Sequence, residues 1–297
     1  MNVQEFATSE FATRLWMGTG RLLPKRAGYK LARVVAAALS GRRQSSLYRI
    51  MYGNQAGVLG PSAQPEEIHR AVRRMLDHAG MASYDLMHCV ARGDDAINRA
   101  VDLGDDLSAR FEAAQAGGRG VIVCACHLSN FNLAFMSLGL HRIRIQALSA
   151  AKPKAGFRIM SDLRARGLLE ETPISQPALR EALTRLRRGE LVGVGVDWPI
   201  DVPQAEWLPF FGQPARLPTS HIRMALASGA VLMPFACRWS DDRGYYLEMA
   251  PPLELVLTGD RAFDVRHNAL RVLSVVEAWI AETPEQWLMY HSVWAER

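Results

Sequence analysis

Short apolar stretches alternate with helical stretches from Gly118 to the end of the chain, and this alternation limits the possible folds more than any other sequence feature. Residues 120–126 have the unbroken apolar character of a buried strand, and a helix at 129–140 follows directly. Strands are also predicted at 143–149, 191–196, 230–239 and 245–249, and helices at 156–167, 177–188, 218–228 and 261–282. Strands that alternate with helices of about ten to fifteen residues form a mostly parallel sheet covered by helices on both faces. The sequence therefore predicts an α/β fold.

An antiparallel element is expected near the C-terminus. The strands at 230–239 and 245–249 are separated only by the turn at 241–244, which is too short for a crossover to a parallel neighbour. Such a pair commonly adds an antiparallel edge to a parallel sheet.

The first third of the chain has a different character. Residues 1–105 predict a helical N-terminal portion, in which Pro24 separates two amphipathic helices and a later helix ends near Leu76. The acidic residues within 93–104 indicate a solvent-facing turn. We expect a single domain over the whole chain, with residues 106–297 as its α/β core.

Several classes of protein are excluded by the sequence. The longest apolar runs, such as 34–39, fall far short of the roughly 18 residues that a membrane-spanning helix needs. Glu5 and Glu10 interrupt the N-terminus, so no signal peptide is expected. The four cysteines lack paired Cys-x-x-Cys spacing, which argues against a zinc site or a disulfide framework and fits a reducing cytoplasm.

The net charge of +5 is modest, but the basic residues are clustered, most clearly between Arg21 and Arg33. A helix that is basic on one side and carries Trp and Leu on the other is able to lie in a lipid interface, although packing against the domain explains the same pattern. The basic runs have no stacking aromatics between them, so a nucleic-acid partner is not expected.

The stretch from Cys126 to Asn132 carries the most chemical information. Polar residues that leave a buried parallel strand at its carboxyl end lie where open α/β sheets bind ligands. Cys124 and Cys126 share one face of the strand and His127 takes the other, so they do not form a nucleophile dyad. With Ser129 as helix N-cap, Asn132 becomes the third helical residue and is expected to meet His127.

Four segments resemble one protein family. His-Leu-Ser-Asn-Phe-Asn at 127–132 is similar to the His-x4-Asp/Glu motif of the lysophospholipid acyltransferase superfamily, and especially to the form found in the lipid A late acyltransferases, the lauroyl and myristoyl transferases. Val-Asp-Trp at 196–198, Leu-Pro-Phe-Phe-Gly-Gln-Pro-Ala at 208–215 and Pro-Glu-Gln-Trp-Leu-Met-Tyr-His at 284–291 resemble further segments of that family. The resemblance keeps the order and spacing of the motifs from about residue 110 to the end.

The resemblance implies an acyltransferase that moves a fatty acyl group from an acyl carrier protein or coenzyme A thioester to a hydroxyl or amine of a lipid or glycolipid. His127 would be the general base, because a histidine has an ordinary pKa near 6.5 and accepts a proton at neutral pH. Asn132 occupies the position of the family's acid. The remaining candidate substrate-binding residues are Asn130, Phe131, Arg180, Asp197, Phe211, Gly212, Thr219 and Ser220. Neither a metal nor an organic cofactor is implied.

The chain departs from the family pattern in two ways. Family members usually begin with a membrane-spanning helix, but this sequence has no apolar stretch of that length. We therefore expect the chain to be cytoplasmic and attached peripherally to the inner face of the cell membrane. Asn132 stands where the family has an acid, and three explanations are open: an engineered substitution made to trap an inactive enzyme, a natural variant with another acid standing in, or a lapsed enzyme that only binds ligand. Asp197 is the candidate replacement acid, and capping of a loop or helix is its alternative role. The alternative functions are a non-catalytic lipid or acyl-carrier binding protein and a thioester hydrolase.

Overall fold

The computed structural model describes residues 18–149, 169–199 and 205–294. Within these ranges a seven-stranded sheet forms the centre of the protein and a separate two-stranded hairpin lies beside it. The strands, numbered along the chain, are β1 (Val101–Asp102), β2 (Val121–Ala125), β3 (Ile145–Ser149), β4 (Leu169–Pro173), β5 (Leu191–Gly195), β6 (Ala205–Phe210), β7 (Gln213–Pro218), β8 (Val231–Ser240) and β9 (Gly244–Met249). The sheet order is β1-β9-β8-β2-β5-β3-β4, and β6 pairs with β7.

Helices cover both faces of this sheet. They are α1 (Lys25–Gly41), α2 (Ser46–Leu59), α3 (Pro65–Arg92), α4 (Asp94–Ala100), α5 (Leu107–Ala114), α6 (Phe131–Leu140), α7 (Gln176–Arg187), α8 (Ser220–Ser228) and α9 (Arg261–Glu282). Alternate residues of β2 enter two different cores: Ile122 and Cys124 pack with α7, α8 and α9, whereas Val121 and Val123 pack with α3, α5 and α6. A strand buried on both faces is apolar at every position, which is why β2 was recognisable from sequence.

The predicted α/β fold is confirmed. β2 pairs in parallel with both β5 and β8, and β3 pairs in parallel with β4 and β5. β8 and β9 are antiparallel and joined by the predicted turn. The helix predicted at 156–167 lies outside the described residues.

Three sequence predictions were wrong or incomplete. Residues 93–104 are not a turn but include α4 and β1, because Asp94 and Asp95 occupy the first turn of a helix, where carboxylates stabilise the positive end of the helix dipole. The helix expected to end near Leu76 continues to Arg92. The β6–β7 hairpin was not predicted, since Pro209 and Pro214 lie opposite each other in it and prolines are atypical of strands.

The helices of the N-terminal part pack closely on one another. Pro24 is the N-cap of α1, as predicted from its position between two helical stretches. α1 approaches α3 closely because Gly28 lies directly against the ring of Tyr84, where a β-carbon would have no room. None of the helices in the described ranges has the length and apolar character needed to cross a lipid bilayer.

Candidate active site

The site forms where two neighbouring parallel strands end. β2 and β5 are paired so that their last residues, Ala125 and Gly195, lie side by side. His127 and Asp197 each follow two residues later, so both emerge at the same edge of the sheet and on adjacent strands. β2 is also the central strand, with β5 on one side and β8 on the other, which places the pair in the middle of the ligand-binding edge of the sheet.

His127 and Asp197 are joined by two hydrogen bonds. The ring Nδ1 of His127 lies 2.7 Å from Oδ1 of Asp197, and the backbone N–H of His127 donates to Oδ2 at 2.8 Å. An ionised carboxylate only accepts, so Nδ1 carries the ring proton. Nε2 then keeps its lone pair, and no described residue hydrogen-bonds it. A neutral imidazole with a free Nε2 is the form needed by a general base.

Asp197 is fully buried, and its charge is maintained by the groups around it. Burial alone raises the pKa of a carboxyl, but the adjacent His127 and the donated hydrogen bonds outweigh burial and hold the pKa of Asp197 below its usual value. Oδ2 accepts a further hydrogen bond from the indole Nε1–H of Trp287 at 2.8 Å. Three donors therefore surround this carboxylate.

The imidazole of His127 is enclosed on three sides and retains about a fifth of its surface in contact with solvent. Its side chain is 21% exposed. Phe131 and Trp198 meet it edge to face, at centroid distances of 5.1 and 5.6 Å. Gly195 leaves the space that the ring occupies, since a β-carbon there would come within 3.1 Å of the ring Cε1. His291 stacks on the far side of Trp198, at 4.9 Å.

The turn between His127 and α6 differs from the sequence prediction. The N-cap of α6 is Asn130, not Ser129, so Asn132 is the second helical residue and not the third. Ser129 instead adopts a positive φ of 46° and its buried hydroxyl contacts Nε2 of His78 at 2.9 Å. The amide of Asn130 donates to the carbonyl of Ala82 in α3 at 2.8 Å, which ties the turn to the neighbouring helix.

The carboxylate beside the histidine is that of Asp197, which follows β5, and the motif residue Asn132 on α6 does not take this position. Nδ1 of His127 is engaged by Asp197, and no described hydrogen bond joins Asn132 to the ring. Phe131, one residue earlier, makes the ring contact from α6. Of the remaining candidates, Arg180 is exposed on α7 and makes no described contact with His127 or Asp197.

Four further candidates belong to the hairpin and the helix after it. Phe211 and Gly212 form the β6–β7 turn with φ values of 50° and 69°, and the Phe211 ring packs against Trp294. Thr219 is the N-cap of α8, but its side chain does not cap the helix and lies 3.4 Å from Glu206 instead. Ser220 is the first helical residue. No described contact links these four residues to His127.

The segment after α9 completes the site, although none of its residues was among the candidate site residues named from the sequence. The backbone N–H of Leu288 donates to the carbonyl of His127 at 2.9 Å, and the carbonyl of Gln286 accepts from the N–H of Ser129 at 2.7 Å. Trp287 lies between these two contacts and reaches Asp197. Its position in the Pro-Glu-Gln-Trp motif was the available signal, but only the folded chain places it beside the carboxylate.

Comparisons with known proteins identify the family of the chain. The chain is 26% identical over 247 residues to a phosphatidylinositol mannoside acyltransferase of Mycobacterium tuberculosis strain CDC 1551 / Oshkosh, which covers 81% of this chain and 75% of the relative. A protein of the same description from strain ATCC 25618 / H37Rv is 28% identical over 188 residues, or 62% of this chain and 57% of the relative. The family model for bacterial lipid A biosynthesis acyltransferases matches residues 6–296. The chain therefore belongs to the bacterial lipid A biosynthesis acyltransferase family.

Proposed function

We propose that this acyltransferase moves a fatty acyl group from an acyl carrier protein or coenzyme A thioester to a hydroxyl of a glycolipid, with His127 as general base and Asp197 as its charged partner. The observation that carries the proposal is the pairing of a solvent-accessible imidazole with a buried carboxylate at 2.7 Å, which leaves Nε2 free. This pairing favours the second explanation of Asn132, a natural variant in which another acid supplies the charge.

The chemistry follows from that pairing. Nε2 of His127 takes the proton of the acceptor hydroxyl while the hydroxyl oxygen attacks the thioester carbonyl carbon. Asp197 stabilises the imidazolium through Nδ1–H. When the tetrahedral intermediate collapses, the carbon–sulfur bond breaks and the imidazolium returns its proton to the departing thiolate. A positioned general base contributes roughly 100- to 10,000-fold to the rate.

The acceptor is inferred from the relatives. Both relatives are described as phosphatidylinositol mannoside acyltransferases, and the family model is described by lipid A biosynthesis. Phosphatidylinositol mannoside and lipid A are both glycolipids. We propose a sugar hydroxyl of a membrane glycolipid as the acceptor. An amine acceptor fits the same base, because a neutral imidazole removes a proton from either group.

A lipid acceptor requires the enzyme to reach a membrane, and α1 provides a surface for this. Val34 and Val35 are exposed apolar side chains of α1, with Lys30 and Arg33 exposed beside them, and Leu22 just before the helix is also exposed. A helix with exposed apolar residues beside basic ones binds anionic lipid surfaces by partial insertion and electrostatic attraction. We propose peripheral attachment to the inner face of the cell membrane through α1.

The test is acyl transfer by purified protein to a glycolipid acceptor, with acyl-coenzyme A and acyl carrier protein donors assayed in parallel. His127→Ala is expected to lower turnover at least 100-fold while the protein still folds, with a lower thermal melting temperature because the buried Asp197 loses one donor. Free fatty acid is measured in the same reactions. Its release without transfer would identify a thioester hydrolase, and donor binding with neither product would identify a non-catalytic binding protein.

A further inference from the structure

The second carboxylate oxygen of Asp197, Oδ2, accepts two hydrogen bonds from groups other than the imidazole. Oδ1 faces the ring of His127, whereas Oδ2 accepts from the His127 backbone N–H and from the indole of Trp287, both at 2.8 Å. Trp287 is itself fully buried, so its indole does not touch a substrate that approaches from solvent. Hydrogen bonds to a charged acceptor are stronger than neutral ones and fix its orientation.

The backbone on both sides of Trp287 is held in place. Leu288 donates to the carbonyl of His127, and Gln286 binds the N–H of Ser129 through its own carbonyl. The side-chain amide of Gln286 also pairs with both backbone groups of Trp239, at 2.9 and 2.7 Å. The indole is thus supported by a short segment that is bonded to the chain just after β2 and to the end of β8.

We propose that Trp287 is a positioning residue of the acyl transfer reaction, whose indole N–H holds Oδ2 of Asp197 so that Oδ1 stays aligned with Nδ1 of His127. This inference rests on the proposed function. Without the indole, the carboxylate loses one of the two donors on Oδ2 and gains freedom to rotate away from the imidazole. Trp287 therefore acts through Asp197 and not on the substrate.

The effect should be visible in the pH profile as well as in the rate. The described titratable groups around Asp197 are His127 and the Cys126 thiol, with His291 one ring further away beyond Trp198. Burial keeps the pKa of the Cys126 thiol well above its ordinary value, so it stays neutral. The indole hydrogen bond is one of the interactions that hold the pKa of Asp197 below its usual value, so removing the donor makes the carboxylate easier to protonate. Earlier loss of its charge moves the acidic limb of kcat/KM to higher pH.

Trp294 offers a matched control. Its ring lies 6.1 Å from that of Trp287 in the same aromatic cluster, and its indole N–H donates to the carbonyl of Phe210 instead of Asp197. Trp287→Phe and Trp294→Phe therefore each remove one indole N–H and the same volume from one cluster. Replacement of Trp287 by benzothienylalanine, which exchanges only the N–H for sulfur, removes the donor while preserving the packing.

The experiment compares kcat, KM, pH profile and thermal melting of these three variants with those of the wild type. Trp287→Phe and the benzothienylalanine protein are expected to lose roughly 10- to 100-fold in kcat, the effect of one lost hydrogen bond to a charged group, with unchanged KM and a raised acidic limb. Trp294→Phe should keep the wild-type pH profile and kcat within about threefold.

Equal losses in both phenylalanine variants, or full activity of the benzothienylalanine protein, would show that Trp287 only fills the core. If Trp287→Phe does not fold, the benzothienylalanine protein alone decides the question. Failure of the proposed function would give a different result. The wild type would then show no acyl transfer, or His127→Ala would transfer as fast as the wild type.

Discussion

Asp197 binds His127 twice, at the ring Nδ1 and at the backbone N–H, so the orientation of the imidazole is fixed relative to the strand that carries it. This arrangement follows from the parallel pairing of β2 and β5, which brings two positions 70 residues apart to one edge of the sheet. A single rotation of the histidine side chain would break one of the two bonds and leave a buried carboxylate with fewer donors.

The charge at position 197 is expected to matter more than the amide at position 132. Asp197→Asn removes the negative charge that stabilises the imidazolium, and the equivalent change in serine proteases costs about 10,000-fold in turnover. We expect a loss of about 100- to 10,000-fold in kcat for this variant and less than a threefold change for Asn132→Asp. Acyl transfer kinetics of both variants, measured with both acyl donors, check these two expectations. A large gain in Asn132→Asp would show instead that the asparagine had replaced the acid of the dyad.

Gly195 is expected to be required for the position of the base. A β-carbon at residue 195 would lie 3.1 Å from Cε1 of His127, so Gly195→Ala should displace the ring by a few tenths of an ångström and lower kcat about 10- to 100-fold. Gly193→Ala is the control, because its β-carbon would meet a side-chain methyl of Ile145 at the same 3.1 Å, two residues earlier on the same strand. Equal kinetic effects of the two variants would contradict the prediction.

Membrane binding through α1 is expected to depend on its exposed residues. Lys30→Glu combined with Arg33→Glu should reduce sedimentation with anionic liposomes at low salt, and the wild type should be released as ionic strength rises, since the Debye length is about 8 Å at physiological salt. The control is Arg99→Glu combined with Arg144→Glu, which makes the same charge change at exposed positions outside α1 and should leave liposome binding unchanged. Deletion of α1 is a poorer test, because Tyr29 donates to Asp85 in α3 at 2.7 Å and its loss would disturb the core. Similar binding of both charge-reversed proteins would assign lipid contact to another surface.

The stability of the protein should fall as the solution becomes acidic, in part because of His78. Burial lowers the pKa of His78 from 6.5 to about 4, so below pH 6.5 the unfolded chain takes up a proton that the folded protein does not. The stability that depends on the neutral ring is complete above pH 6.5 and is lost as the pH falls towards 4, by about 2 kcal/mol between pH 7.5 and 5.

The measurement for His78 is urea unfolding at the two pH values. His78→Gln keeps a donor for the hydroxyl of Ser129 but cannot titrate, so its free energy of unfolding should vary less with pH than that of the wild type, by about 2 kcal/mol. His221, also buried with a pKa lowered to about 4, remains in both proteins and cancels in the comparison. If the free energy of unfolding varied with pH equally in the two proteins, His78 would be excluded as a source of the acid sensitivity.

The sequence alone determined the fold class and was sufficient to propose His127 as the base. β2 is apolar at every position and is followed at once by His127 and a helix, a pattern that depends only on local periodicity and on burial of both sheet faces. The antiparallel pair β8–β9 was equally recognisable, because a four-residue turn permits no other pairing. The local sequence pattern did not predict the β6–β7 hairpin, because the prolines in it are atypical of strands.

The sequence offered both Asn132 and Asp197 as partners of His127, and only the tertiary structure decided between them and brought Trp287 to the same site. The motif places Asn132 five residues from His127 along the chain, but the direction of a side chain at a helix start depends on which residue caps the helix, and here the cap is Asn130. Asp197 reaches the imidazole because β5 lies beside β2 in parallel register, and Trp287 reaches Asp197 because the segment after α9 returns to the strand ends. Both contacts join residues 70 or more positions apart, and pairing between distant strands and segments is fixed by packing of the whole core and not by any local pattern.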